Sequence, residues 1–343
     1  ILAQKAKAPA NDANKRESWK YVEQYVYDPA GNILKKVIAG KETTFTYDAA
    51  NQLVQSKSLL NSNVKILNYE YDGAGRLALE ASATSVKSYK YGWLDKVLSV
   101  TDGKDVSNFE YYPDGQLAST NSTNGHEEFV WDGLALINRS TTYNQKLITD
   151  NDYLIEPHPN GGSPILSTND TNGTNETSVL FNDILGSSLG VVENGTFTGI
   201  ERSAFGEQLP NSRIPELPNF SSDFFTGKPN IPELGYNFLF RNYKPETGKW
   251  MSADPIGYPD GWNNLAYVNN WVTKCIDIVG KEFYNVLSSN AVNKTGHSAG
   301  IYKFEDGTAR VIDFAGSSDI GTWQGDDNNP PKDFGSFDEA LDF

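Results

Sequence analysis

Short alternations of apolar and polar residues, each broken by a polar turn, run from the start of the chain to about Trp131. Tyr25 and Tyr27, Phe45 and Tyr47, and Tyr69 and Tyr71 stand two positions apart, the period of a strand that buries one face. Tyr-Asp or a close variant recurs at Tyr27-Asp28, Tyr47-Asp48, Tyr71-Asp72, Tyr91-Gly92, Tyr111-Tyr112 and Trp131-Asp132, at spacings of 20, 24, 20, 20 and 20 residues. Four residues after the first five aromatics come Gly31, Asn51, Gly75, Asp95 and Gly115, types that accept a left-handed backbone at least cost. Two residues further, Ile33, Leu53, Leu77, Val97 and Leu117 open a returning strand. Each unit therefore predicts a strand, a tight turn and a strand. A lone hairpin cannot bury its apolar face, so successive hairpins are expected to pair edge to edge in one continuous sheet.

Composition supports a mainly β chain. Among 343 residues there are 18 Tyr, 17 Phe and 30 Gly but one Met, a balance that favours short strands and polar turns over long helices. The net charge of -15 and pI near 4.7 repel phosphate backbones and anionic headgroups, so neither nucleic acid nor a membrane surface is an expected partner. Cys275 is the single cysteine, so no internal disulfide forms, and no Cys/His cluster has metal-ligand spacing. No cofactor and no metal are expected. No apolar run reaches the roughly 18 residues that span a bilayer. The chain opens at Ile1 without a leader pattern, which reads as an internal fragment whose export signal lies upstream.

With the repeats in hand, the chain resembles the RHS/YD-repeat polymorphic toxins. That resemblance implies YD-repeat hairpins forming part of a spiral β-shell, closed by an RHS core plug, around a C-terminal toxic domain. After Trp131 the periodicity fades into WDGLALI, YLIEPHPNGGSPIL, LGSSLGVV and SAFGE, which match the family's core region in order. The polar stretch at residues 168–178, with sequons at Asn172 and Asn175, reads as an exposed loop. FLFRNYKPETGKWMSADPIGYPDGWNNLAYVNN, residues 238–270, is similar to the family's R-Y-Y-D-P-E-T-G-R-F-x-S-x-D-P-I-G signature with N-L-Y-A-Y-V-x-N-N after it. On this basis residues 1–127 are YD/RHS repeats and 128–280 the RHS repeat-associated core, with shell end and plug. Residues 281–343 are the start of a variable toxin domain, a short α+β fragment.

The resemblance also implies chemistry. The family's core often cleaves its own chain through two aspartates that resemble an aspartic protease dyad, which map to Asp254 in SADPIG and Asp277 in CIDIVG. Two close carboxylates do not both ionise cheaply, so one holds a proton while the other activates water. The expected cut lies between Gly280 and Lys281. Three positions depart from the pattern: Ala253 stands where the family has Arg, and Trp271 and Ile278 where it has Pro. Loss of that cation removes a group that could stabilise an oxyanion. The bland reading is that Asp254 and Asp277 cap turns. Cys275 reads as a buried small hydrophobe.

In the tail, residues 296–314 read as two alternating strands around Glu305-Asp306-Gly307. This stretch is similar to papain-like toxins and acyltransferase-like hydrolases, and His297 would be the base; no Cys follows it. Ser336 with Glu339 spells a capping box, but the sequence stops at Phe343, so the toxin domain is expected to be truncated and inactive. Asp326 and Asp327 lack the ligand spacing of a calcium loop. The expected function is the C-terminal part of a secreted or cell-surface bacterial toxin. Its partners would be the upstream shell of the same polypeptide, its own toxin domain and an immunity protein. The competing reading is a non-toxic YD-repeat adhesion or structural protein.

Overall fold

The structure is a computed structural model. It describes all residues except 1–2, 7–19, 61–62, 172–173, 210–221, 259–260, 282, 286–297, 304–308, 315–331 and 335–343. Eighteen strands, β1 (Ala3–Ala6) to β18 (Thr196–Gly199), form one sheet in which each strand pairs antiparallel with its neighbours in sequence. The chain is thus mainly β, and no α-helix occurs among the described residues.

The Tyr-Asp units fold as their residues dictate. Asp48 Oδ1 accepts from the backbone N–H groups of Ala50 and Gln52, both at 2.9 Å. Asp72 Oδ1 does the same for Ala74 and Arg76 at 2.9 and 3.1 Å. These side chains satisfy the N–H groups that the reversal frees from the ladder. Gly31, Gly75 and Gly115 take φ values of +79°, +77° and +93°, and Asn51 and Asp95 take +62° and +55°. The pairing register slips at each aromatic: Tyr27 faces Ile33 but Val26 faces Lys35. Tyr47, Tyr71, Tyr91, Tyr111 and Trp131 repeat the slip. Such a bulge on the returning strand bends the sheet and increases its twist.

The aromatics also stitch one unit to the previous one. Tyr47, Tyr91 and Tyr111 donate their hydroxyls to the carbonyls of Ile33, Leu77 and Val97 at 3.0, 2.8 and 2.9 Å. The Trp131 indole N–H reaches the Leu117 carbonyl at 2.8 Å. In each case the acceptor is the first apolar residue of the preceding return strand. The Tyr position therefore fixes the offset between hairpins as well as filling the core.

Beyond Trp131 the sheet continues although the sequence period fades. Asp183 Oδ1 accepts from Leu185 and Ser187 N–H at 2.9 and 2.8 Å, a further turn of the same kind. Of the stretch expected as an exposed loop, residues 168–171 and 174–178 are instead strand, with Asn169 facing Glu176 and Thr171 facing Thr174. Its threonines suit a pleated surface, and the register of the adjoining strands extends through it. The sequon at Asn172 lies outside the described residues; Asn175 sits in this strand.

A second segment packs on the sheet. It comprises β19 (Phe224–Phe225), β20 (Lys228–Ile231), β21 (Gly235–Asn237), β22 (Asn242–Lys244) and β23 (Lys249–Trp250). Phe225, Tyr236, Phe238, Tyr243, Trp250 and Tyr267 join Tyr25, Phe45, Tyr69, Tyr89, Phe109 and Phe129 of the repeats in one buried cluster. Rings in this segment meet stacked, as Phe225 on Tyr243 at 17°, or tilted and edge-on, as Phe238 on Trp250 with centroids 5.0 Å apart and planes at 79°, offset and edge-on contacts being those aromatic quadrupoles favour. Buried cations tie segment to sheet: Lys249 Nζ donates to Asn32 Oδ1 at 2.6 Å, and Lys244 Nζ to the Tyr89 hydroxyl at 2.8 Å. Then come β24 (Cys275–Asp277) and β25 (Phe283–Asn285), a separate two-stranded pair. Last are β26 (Ser298–Lys303), β27 (Ala309–Phe314) and β28 (Lys332–Phe334). The first two are the strands expected in the tail. His297, the Glu305-Asp306-Gly307 turn, Asp326, Asp327, Ser336 and Glu339 lie outside the described residues.

Candidate functional site

Asp254, Asp277, Gly280 and Lys281 come together around one residue that sequence reading passed over, Arg241. It follows a turn after β21, and Phe238 N–H bonds the Arg241 carbonyl at 3.1 Å to fix that turn. Arg241 Nη2 lies 2.7 Å from Asp254 Oδ2 and 3.2 Å from Asp277 Oδ2. The three side chains are 2%, 3% and 2% exposed. Nε of the same guanidinium donates to the Gly280 carbonyl at 2.6 Å, and Nη1 to the Asn264 carbonyl at 3.2 Å. The guanidinium lies over the Trp250 ring, 4.1 Å from its centroid, a contact that holds a planar cation in place.

The Asp277 carboxylate faces both the cation and the chain that comes after it. Its Oδ1 accepts from the N–H groups of Val279, Gly280 and Lys281 at 3.1, 2.5 and 3.2 Å. Burial pushes its pKa up to about 6, against the pull of Arg241 and of the three N–H groups. Asp254 Oδ1 accepts from Ile256 N–H at 3.0 Å, a turn cap. Both aspartates thus do what the bland reading expects and also share a cation.

Gly280 has φ of +86°, and a Cβ there would lie 3.1 Å from Arg241 N and 3.2 Å from Phe238 Cβ. Its carbonyl can approach Arg241 because no side chain intervenes. The Lys281 ammonium sits over the Phe240 ring at 3.7 Å. The Gly280–Lys281 peptide is therefore held on both sides: its carbonyl by a guanidinium, its N–H by a carboxylate.

The three departures from the family pattern have different fates. No cation stands at Ala253, but Arg241 supplies one to both aspartates. Arg241 was legible only as a letter of the FLFRNY motif, because nothing in that motif says which carboxylate the guanidinium meets. Trp271 is 55% exposed, and Ile278 packs with Leu185 and Ile276. Cys275 is buried in the core. No group of three or more His, Cys, Asp and Glu able to hold a metal occurs among the described residues. No helix among them is long and apolar enough to cross a membrane.

Hairpin sheet, packed core segment and buried Asp–Arg–Asp centre define a β-repeat protein with a polar site beside a chain turn. No protein-family model matches the chain. Among curated proteins it is 24% identical over 277 residues to the toxin subunit YenC1 of Yersinia entomophaga, covering 73% of this chain and 28% of that protein. It is 25% identical over 285 residues to a probable deoxyribonuclease, RhsA, of Dickeya dadantii, covering 78% of this chain and 16% of that one. The chain thus spans well under a third of the relatives it matches. Among solved structures, the crystal structure of TcdB2-TccC3-TEV aligns with a TM-score of 0.46 and 16% identity, over 80% of this chain and 17% of that one. The curated proteins it matches are thus a toxin subunit and Rhs proteins, which is what this chain is similar to.

Proposed function

We propose that this chain is the C-terminal part of an RHS-type toxin whose β-shell encloses a C-terminal effector and whose core frees that effector by cutting its own chain between Gly280 and Lys281. Residues 1–127 are the repeats, 128–280 the shell end and plug, and 281–343 the start of the effector. Secretion or display at the cell surface and an immunity protein go with this reading. One observation carries it: Arg241 holds Asp254, Asp277 and the Gly280 carbonyl at once, while Asp277 accepts the N–H of Lys281.

Those contacts support the following chemistry. Asp254, 2.7 Å from Arg241, takes a proton from water as the water oxygen bonds to the Gly280 carbonyl carbon. Arg241 Nε then faces the oxygen on which negative charge develops, where a preformed donor lowers the barrier most. Asp277, kept protonated by burial toward pH 6, gives its proton to the departing Lys281 amine as the C–N bond breaks. The products are a Gly280 carboxylate and a Lys281 amine. One carboxylate acts as base and the other as acid because their surroundings differ.

The purified chain, incubated and measured by intact mass spectrometry, is expected to yield two fragments that meet between Gly280 and Lys281. A chain that stays whole after long incubation across pH 5 to 8 overturns the self-cleavage reading.

A further inference from the structure

The bond between Gly280 and Lys281 lies in the turn of a β-hairpin. On one side, β24 carries Asp277; on the other, β25 returns antiparallel to it, with Cys275 opposite Asn285, Ile276 opposite Tyr284 and Asp277 opposite Phe283. The strand bearing the aspartate is fixed: Cys275, Ile276 and Asp277 are all buried, and Phe240 N–H bonds the Val279 carbonyl at 2.9 Å beyond it. Among the described residues the two strands form a sheet of their own.

We infer that β24 is a docking strand that recognises the chain downstream of the cut through main-chain hydrogen bonds, presenting Gly280–Lys281 before the cut and retaining the downstream piece after it. The inference rests on the self-cleavage reading for its first half only. Strand addition of this kind takes affinity from the backbone and specificity from side-chain pockets. Here the fixed contacts next to the bond are to the Lys281 N–H and to the Lys281 ammonium over Phe240. At positions 283–285 the pairing itself asks only for an extended backbone. A plug built this way serves many different downstream domains, provided each begins with a strand that lacks proline.

The test uses the full chain. Phe283→Pro and Tyr284→Pro probe the ladder as a pair: successive N–H groups of an antiparallel strand point to opposite sides, so the one proline that removes a ladder N–H is expected to slow self-cleavage about tenfold or more. Phe283→Ala and Tyr284→Thr are expected to cut within about threefold of the parent, since both leave the ladder N–H groups in place. Parent cleavage that proceeds unchanged in both proline variants overturns docking through the ladder. Slowing by alanine and threonine as large as by proline overturns sequence tolerance.

A second arm does not depend on self-cleavage. A site for an added protease, inserted between Gly280 and Lys281, allows the turn to be cut at will, and gel filtration then reports whether the pieces travel together. Co-elution in the parent and separation in the proline variant that loses a ladder N–H are expected; separation in the parent, or co-elution in every variant, overturns retention by β24. A parent that never cuts itself yet retains the nicked piece sinks the self-cleavage reading and leaves the docking strand standing.

Discussion

Arg241 and Asp254, thirteen positions apart in sequence, meet at 2.7 Å in the interior of the packed segment. The same Arg241 nitrogen reaches Asp277, so one guanidinium compensates two buried carboxylates. Removing it would strand both. Arg241→Gln is expected to destabilise the chain by about 3 to 5 kcal/mol, the cost of leaving buried charge unpaired, and to abolish the cut. Denaturant melts and intact mass on the same preparations check the two effects.

Asp277→Asn keeps the volume and can still accept from the N–H groups of Val279, Gly280 and Lys281 through its amide oxygen. It cannot supply a proton to the Lys281 amine. Cleavage is expected to vanish while the far-ultraviolet spectrum stays that of the parent. A cut at the parental rate would remove Asp277 from the mechanism.

Asp277 also sets a pH dependence. Its pKa rises from the ordinary value of 3.8 to about 6, chiefly through burial. A group raised in this way stabilises the fold fully below its unfolded pKa and loses that contribution as pH climbs through the folded one. Stability from this residue is therefore expected to fall between about pH 4 and pH 6 and to level off above. Because the cut needs the protonated form, its rate is expected to fall as pH rises past about 6. Urea midpoints and cleavage rates across that range, compared with Asp277→Asn, check both signs.

Lys249 offers the opposite sign. Its ammonium is buried among Asn32 Oδ1, Asn263 Oδ1 and the Asn51 carbonyl at 2.6, 3.1 and 3.4 Å, over the Tyr47 ring. Burial lowers its pKa from 10.5 to about 7, with the Asp28 charge opposing. Below about pH 7 the charge is buried at full cost; between 7 and 10.5 the unfolded chain holds a proton that the folded one has shed, so stability climbs. Lys249→Met has no such climb. The stability of the parent relative to Lys249→Met is expected to rise across that window in thermal melts.

The Tyr ladder predicts a stability effect far from the site. Tyr91→Phe leaves the ring in the core but deprives the Leu77 carbonyl of its 2.8 Å donor. A loss of about 1 to 3 kcal/mol is expected, the cost of a hydrogen bond removed from a buried acceptor. Chemical denaturation of the single variant measures it.

By itself the sequence determined the repeats, and the reason is local. A Tyr-Asp pair, a residue that tolerates positive φ and an aliphatic two positions later specify strand, turn and return strand within a single short stretch of chain. The strand character of 168–171 and 174–178 was not legible, because a polar run decides between loop and ladder only when flanking strands impose a register on it. Asp254 and Asp277 could be named from their motifs, and Gly280 and Lys281 as the last residue of CIDIVG and the one after it. Only the tertiary structure decided that Arg241 sits between the two aspartates and grips the carbonyl of Gly280. Sequence separation says nothing about which buried charges meet. That is settled by packing, where the Trp250 ring and the turn after β21 leave the guanidinium one place to lie.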